Sequence, residues 1–125
     1  MDSGLNDTRA QYLAGALTKH EYVERMHRFH ALLFEYAELI RSTEIGKIEI
    51  DDGRLIMTTR LGVRFLCDPR DPRLPPLQAI DFGRYEGAEA DMLFRLIEPG
   101  SAVYDVGANV GWYPNLADHF RNISQ

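Results

Sequence analysis

The sequence predicts an α/β chain on three observations. Apolar residues recur at helical spacing as far as Thr43, then alternate between Lys47 and Cys67, and from Gly87 onward run as helix, short apolar strand, glycine-bearing turn and helix. Helices, then a small antiparallel sheet, then the opening of a doubly wound sheet satisfy all three. The 125 residues suffice for one modest domain, and 45% hydrophobic residues with 10% aromatics can supply a core, so disorder is not expected.

Residues 1–45 read as a helical arm. The first 17 are polar and alanine-bearing, with a short helix expected over Thr8 to Ala16. Thr18 followed by Glu21 matches a capping box, in which the hydroxyl accepts from an early backbone amide and the carboxylate reaches back to the cap. Tyr22, Met26, Phe29, Leu33, Tyr36 and Ile40 then fall on one stripe of a long helix. Six large side chains on one face are expected to be buried. Either the following sheet or the same helix of a second subunit could cover them, so a homo-oligomer through the 18–42 helix is a candidate partner arrangement.

Residues 46–82 read as a small antiparallel sheet and a proline-rich loop. Ile48 and Ile50 alternate with charged neighbours, and Asp51, Asp52 and Gly53 supply a turn. Arg54 to Thr59 and Val63 to Cys67 form two further strands with Gly62 between them. The run DPRDPRLPP, with four prolines between Pro69 and Pro76, predicts an irregular loop.

Residues 83–125 contain a helix over Gly87 to Ile97, with Met92, Leu93, Leu96 and Ile97 as its apolar face. EPG closes it, SAVYDV predicts a strand, Gly107 to Gly111 a loop, and WYPNLADHF a second helix with Pro114 in its first turn.

A formal charge of −5, from 19 acidic and 14 basic residues mixed along the chain, leaves no basic face for nucleic acid. Cys67 is the sole cysteine, which excludes a disulfide framework and a multi-cysteine zinc site, and its apolar surroundings predict a buried thiol. The N-terminus lacks a cationic start with an apolar run, and about 18 uninterrupted apolar residues occur nowhere. A cytoplasmic protein without a membrane partner is therefore expected. Glu24, His27 and His30 step along the long helix at intervals of three, but solvated surface accounts for them better than a metal site. Asp51 and Asp52 are explained by turn chemistry, and the adjacent Asp118 and His119 point in different directions on a helix.

Chemistry concentrates in SAVYDVGANVGWY, Ser101 to Tyr113. An acidic residue at a strand end and glycines in the next turn suit a nucleotide-type ligand: glycine lets the backbone approach it, and the amides of the following helix favour negative charge. The segment resembles the first motif of class I methyltransferases, and DVGAN is similar to the form found in the FkbM group. GVRFLCDPRDP, FGRYE and the helix ending in LIEPG upstream also resemble that group, so the likeness runs from about Thr18 to Ala117.

The resemblance implies N-terminal helices and a small antiparallel sheet followed by the first strand and helices of a Rossmann-like class I methyltransferase domain. S-adenosylmethionine would be the cofactor, and the hydroxyl of a sugar or secondary metabolite the methyl acceptor. It places Asp105, Gly107, Ala108, Asn109 and Gly111 around the methionine and ribose portions, and Tyr85 and Glu86 over the cofactor. Trp112 and Tyr113 fit either an adenine wall or a helix packed on a sheet, and for Trp112 the two remain open. A dinucleotide fingerprint fits less well, because the glycines are spaced GxxxG and not GxG. The carboxylate that would hold the ribose hydroxyls is expected about 20 residues beyond the glycine turn. Gln125 precedes that point, so a front part with an incomplete site, inactive alone, is expected.

Overall fold

The computed structural model describes residues 4–104, 106 and 111–123, with 119–123 as helical backbone only. Its contacts divide the chain into two units, Met1–Leu39 and Ile40–Gln125, each described by itself.

The first unit is a helical hairpin of α1 (Leu5–Leu13) and α2 (Lys19–Leu39). α1 ends earlier than the composition suggests. Gly15 takes φ +81°, its N–H donates to Tyr12 O, and the Ala16 N–H donates to Gln11 O, which closes the helix with paired bonds of the Schellman type. The capping box forms as its spacing predicts: Thr18 N–H donates to Glu21 Oε2 at 2.9 Å, and Glu21 N–H to Thr18 Oγ1 at 3.1 Å. Tyr12 stacks on Tyr22 with ring centroids 4.4 Å apart, and Arg25 donates to Gln11 Oε1 at 3.3 Å.

The expected burial of the α2 stripe is not found. No residue of α2 is buried; Tyr22, Met26 and Phe29 are half-buried, while Leu33 and Tyr36 are 60% and 46% exposed. The reason is length. At 1.5 Å per residue the 9-residue α1 spans about 14 Å, and the 21-residue α2 about 31 Å, so α1 can cover less than half of its neighbour.

The second unit begins with a 3₁₀ turn, Ile40–Ser42, and a three-stranded antiparallel sheet in the order β1 (Ile45–Asp51), β2 (Arg54–Thr59), β3 (Arg64–Leu66). This is the meander the alternation predicts. Asp52 (φ +49°) and Gly53 (φ +75°) form the β1–β2 turn, both left-handed as a two-residue hairpin loop of the primed type requires. The register slips between Ile45 and Lys47, a bulge at Gly46. Arg60 ties this end down: its guanidinium donates to Thr43 O at 2.7 Å and to Ile40 O at 2.9 Å, the latter shared with the Thr43 N–H and hydroxyl.

Across the sheet, Ile48 faces Met57 and Met57 faces Phe65, giving an apolar row. Against it pack α3 (Pro75–Phe82), α4 (Gly87–Leu96) and α5 (Trp112–Ile123), whose Ala79, Ile80, Ala90, Trp112 and Leu116 complete the core. Cys67 is buried there as expected, and burial pushes its thiol up from the ordinary cysteine value.

Three expectations need correction. Pro75 and Pro76 belong to a helix: they open α3, where proline loses no hydrogen bond and its fixed φ suits the first turn. On α4 the inward residues are Ala90 and Phe94, followed by buried Ile97 at its end, whereas Met92 and Leu96 are 57% and 70% exposed. The third concerns SAVYDV. Ser101–Tyr104 carries no strand, and Tyr104 and Val106 are more than 90% exposed. A strand exists through ladder partners, and none pairs with this segment among the described residues. Among the described residues no helix is long and apolar enough to cross a membrane.

Candidate cofactor-loop site

Two sequence segments meet at the edge of the α/β core. The first is Gly83–Gly87. Gly83 takes φ +86°, its carbonyl accepts from Glu44 N–H at 2.8 Å, and Tyr85 N–H donates to Glu44 Oε1 at 2.7 Å, so the residue just before β1 holds the segment through both its backbone and its side chain. Arg84 forks onto the Asp91 carboxylate at 2.9 and 3.2 Å, holding that acid below its ordinary range. The same guanidinium lies over Gly87, where a Cβ would come within 3.1–3.3 Å of it. Glu86 itself is left-handed (φ +45°, ψ +54°), an uncommon state for a non-glycine residue, and serves as N-cap of α4.

The second segment is the start of α5. Gly111 takes φ +82°, and its carbonyl accepts from the backbone and side-chain amides of Asn115 at 3.1 and 2.6 Å. Trp112, 3% exposed, stacks on Phe65 with centroids 5.2 Å apart and takes the edge of Tyr85 at 5.4 Å. Tyr113 sits 6.2 Å from Tyr85, and its hydroxyl donates to the Glu86 carboxylate. Burial, and then that carboxylate, raise the Tyr113 phenol well above its ordinary value, so it is a donor at physiological pH.

Beside these groups lies a cavity of about 210 Å³ lined by Glu44, Arg60, Arg84, Phe94, Trp112 and Leu116. Glu44 is raised from the ordinary glutamate value by burial, opposed by the Tyr85 N–H bond and by Arg84, whose Nε lies 4.0 Å away. The indole N–H of Trp112 is buried without a hydrogen-bond partner among the described residues. A larger hollow of about 490 Å³ shares no lining residue with this one; its two arginines are committed to carboxylates, Arg54 to Asp51 and Arg70 to Asp68.

Of the residues expected from sequence, Tyr85, Glu86, Gly111 and Trp112 are brought together. Trp112 is core in its packing while also lining the small cavity. Asp105, Gly107, Ala108 and Asn109 lie outside the described residues. Glu44 and Arg84 escaped the sequence reading; the signal for Arg84 was its place between Gly83 and Gly87, while nothing local marks Glu44, whose partners are 40 residues away. Glu24 pairs with His20 at 3.3 Å, and among the described residues no three His, Cys, Asp or Glu side chains converge on a metal position. Compared with protein-family models, curated proteins and solved structures, the chain matches none.

Proposed function

We propose that this chain carries the front of an S-adenosylmethionine site of an FkbM-type methyltransferase, with a sugar or secondary-metabolite hydroxyl as acceptor. The observation that carries the reading is the meeting of Glu86 with Tyr113, 27 residues apart, which belong to two of the sequence segments that resemble the family. A glycine-bearing motif alone is weak support; a left-handed Gly111 followed by Trp112, which packs on Tyr85, with the Glu86 carboxylate on Tyr113, adds to it. Gly111 admits backbone close to a ligand, the rings of Tyr85 and Tyr113 suit an adenine face or a sulfonium cation, and Glu86 offers an acceptor to a hydroxyl or ammonium donor. The cofactor, when bound, would supply an activated methyl group for direct displacement by the acceptor oxygen. The part of these residues is alignment, which can lower a barrier by several kcal/mol.

Trp112 is the sole tryptophan, so its fluorescence reports on this edge of the core. Titration with S-adenosylhomocysteine or S-adenosylmethionine should give a saturable change. The described residues offer only one wall, so a dissociation constant weaker than about 100 µM is expected. No change up to about 10 mM, or an equal response to NAD, would overturn the reading.

A further inference from the structure

We propose that the small cavity beside Trp112 is a binding site for a neutral aryl alcohol built on a single ring. The proposal does not draw on the cofactor reading and stands without it. Size sets the first limit. The cavity measures about 210 Å³. An apolar protein cavity of about 150 Å³ holds benzene, whereas drug-sized ligands take about 300 Å³ or more, so one ring with a short polar arm fits and a nucleoside does not. Phe94, Trp112 and Leu116 give it an apolar lining, with Trp112 and Leu116 buried in the core, and the two aromatic faces suit a ring.

Three charged residues complete the lining, and their commitments select the polar group. Arg84 is spent on Asp91, to which both of its terminal nitrogens donate. Arg60 directs Nε and Nη2 to the carbonyls of Thr43, Ile40 and Arg41, which leaves Nη1 as a donor with no partner among the described residues. Glu44 gives Oε1 to the Tyr85 N–H, while its Oε2 has Arg84 Nε at 4.0 Å, beyond hydrogen-bond reach. These two side chains are neighbours, since Arg60 N–H donates to Glu44 O at 2.9 Å. A hydroxyl serves both at once, accepting from the guanidinium and donating to the carboxylate. A ligand carboxylate would meet Arg60 but be repelled by Glu44, and an ammonium would meet Glu44 but be repelled by Arg60, so the neutral group is preferred over either ion.

Three probes that share one ring and differ in the polar group test this: para-fluorobenzyl alcohol, para-fluorobenzoate and para-fluorobenzylamine. Fluorine NMR titration of the whole chain at neutral pH should show the alcohol saturating below about 10 mM, with each ion at least about tenfold weaker. Ala90 lines the same cavity, so Ala90→Leu should fill it and abolish the alcohol's response while the chain still melts cooperatively. Glu44→Gln keeps an oxygen for the Tyr85 N–H and removes the charge that repels an acid. In that variant para-fluorobenzoate should bind about tenfold tighter than in the parent, and the alcohol should change by less than about threefold. No saturation by the alcohol, tighter binding of either ion, a folded Ala90→Leu chain that still binds, or an unchanged benzoate affinity in Glu44→Gln would each overturn the proposal. Should Ala90→Leu fail to fold, the probe series and Glu44→Gln decide it.

Discussion

The two units bury their residues very differently. In the hairpin, secondary structure is well specified: a capping box starts α2, a glycine at φ +81° stops α1, and yet Thr8 is its one buried side chain among the described residues. In the α/β unit the local signals are mixed, with prolines favourably opening α3 and a left-handed glutamate without a side-chain cap bond starting α4, but Ile45, Met57, Phe65, Ala79 and Trp112 are all at or below 5% exposure. Local chemistry decides where a helix begins and ends, whereas burial depends on whether a surface of matching length lies opposite. In the α/β unit three helices pack on one sheet and share its apolar face, whereas in the hairpin a short helix cannot cover a long one.

The strongest way to break that comparison is to damage the core. Phe65→Ala removes the ring stacked on Trp112 at a position 5% exposed and should cost about 3–5 kcal/mol, read as an earlier denaturation midpoint in Trp112 fluorescence. Amide exchange in α1 and α2 should not change. Equal loss of protection in both units would mean that they unfold as one, and the contrast drawn above would fail.

A smaller effect is expected at the loop edge. Gly111→Val forces a branched side chain to φ +82° and sets a Cβ 3.3 Å from Asn115 Nδ2, which should cost about 1–3 kcal/mol. It should also abolish the response to S-adenosylhomocysteine. Gly111→Asn should be milder, since asparagine tolerates the left-handed region. A valine variant with the parent's melting temperature would show that this turn is not constrained by α5.

In the hairpin, Thr18→Ala removes one half of the capping box and should cost about 1 kcal/mol. The readout is faster amide exchange in the first turn of α2 with no shift in the Trp112 transition. Thr18→Ser should restore protection. If alanine leaves exchange untouched, the cap is redundant and the hairpin owes its order to something other than local chemistry.

Much of the fold was legible because it rests on such short-range rules. The capping box, the Asp52–Gly53 turn, the three strands and the α5 helix all follow from residues within four positions of one another. What sequence could not supply was reciprocity between distant residues. The stripe on α2 has helical spacing whether or not a partner covers it, and Val103 and Tyr104 have strand-like chemistry but no strand beside them among the described residues. For the candidate site, Tyr85 and Glu86 were singled out by motif likeness, and Tyr85 meets Trp112 while Glu86 meets Tyr113; Glu44 was invisible because its role depends on Arg84 and Tyr85, which lie between α3 and α4, 40 and 41 residues further along the chain.

Glu44 supplies the finest test of the comparison, since it is a carboxylate set at the edge of the packed unit. Burial raises its folded value above the ordinary glutamate range, more than the Tyr85 N–H and Arg84 lower it. The folded chain therefore binds this proton more tightly than the unfolded chain, and the sign follows by linkage. The stability Glu44 contributes is complete below the ordinary glutamate value, declines as pH rises through the raised folded value, and is level above it. Glu44→Gln is neutral throughout and keeps an oxygen for the Tyr85 N–H, so it should remove this slope. Near pH 4 the variant and parent should melt together; near pH 7 the variant should melt at the same temperature or up to about 3 °C higher. The opposite pattern, with the variant less stable at pH 7 and matched at pH 4, would mean that attraction to Arg84 outweighs desolvation. Glu44 would then act as an exposed ion-pair residue, and the packed edge of the site would be wetter than its burial indicates.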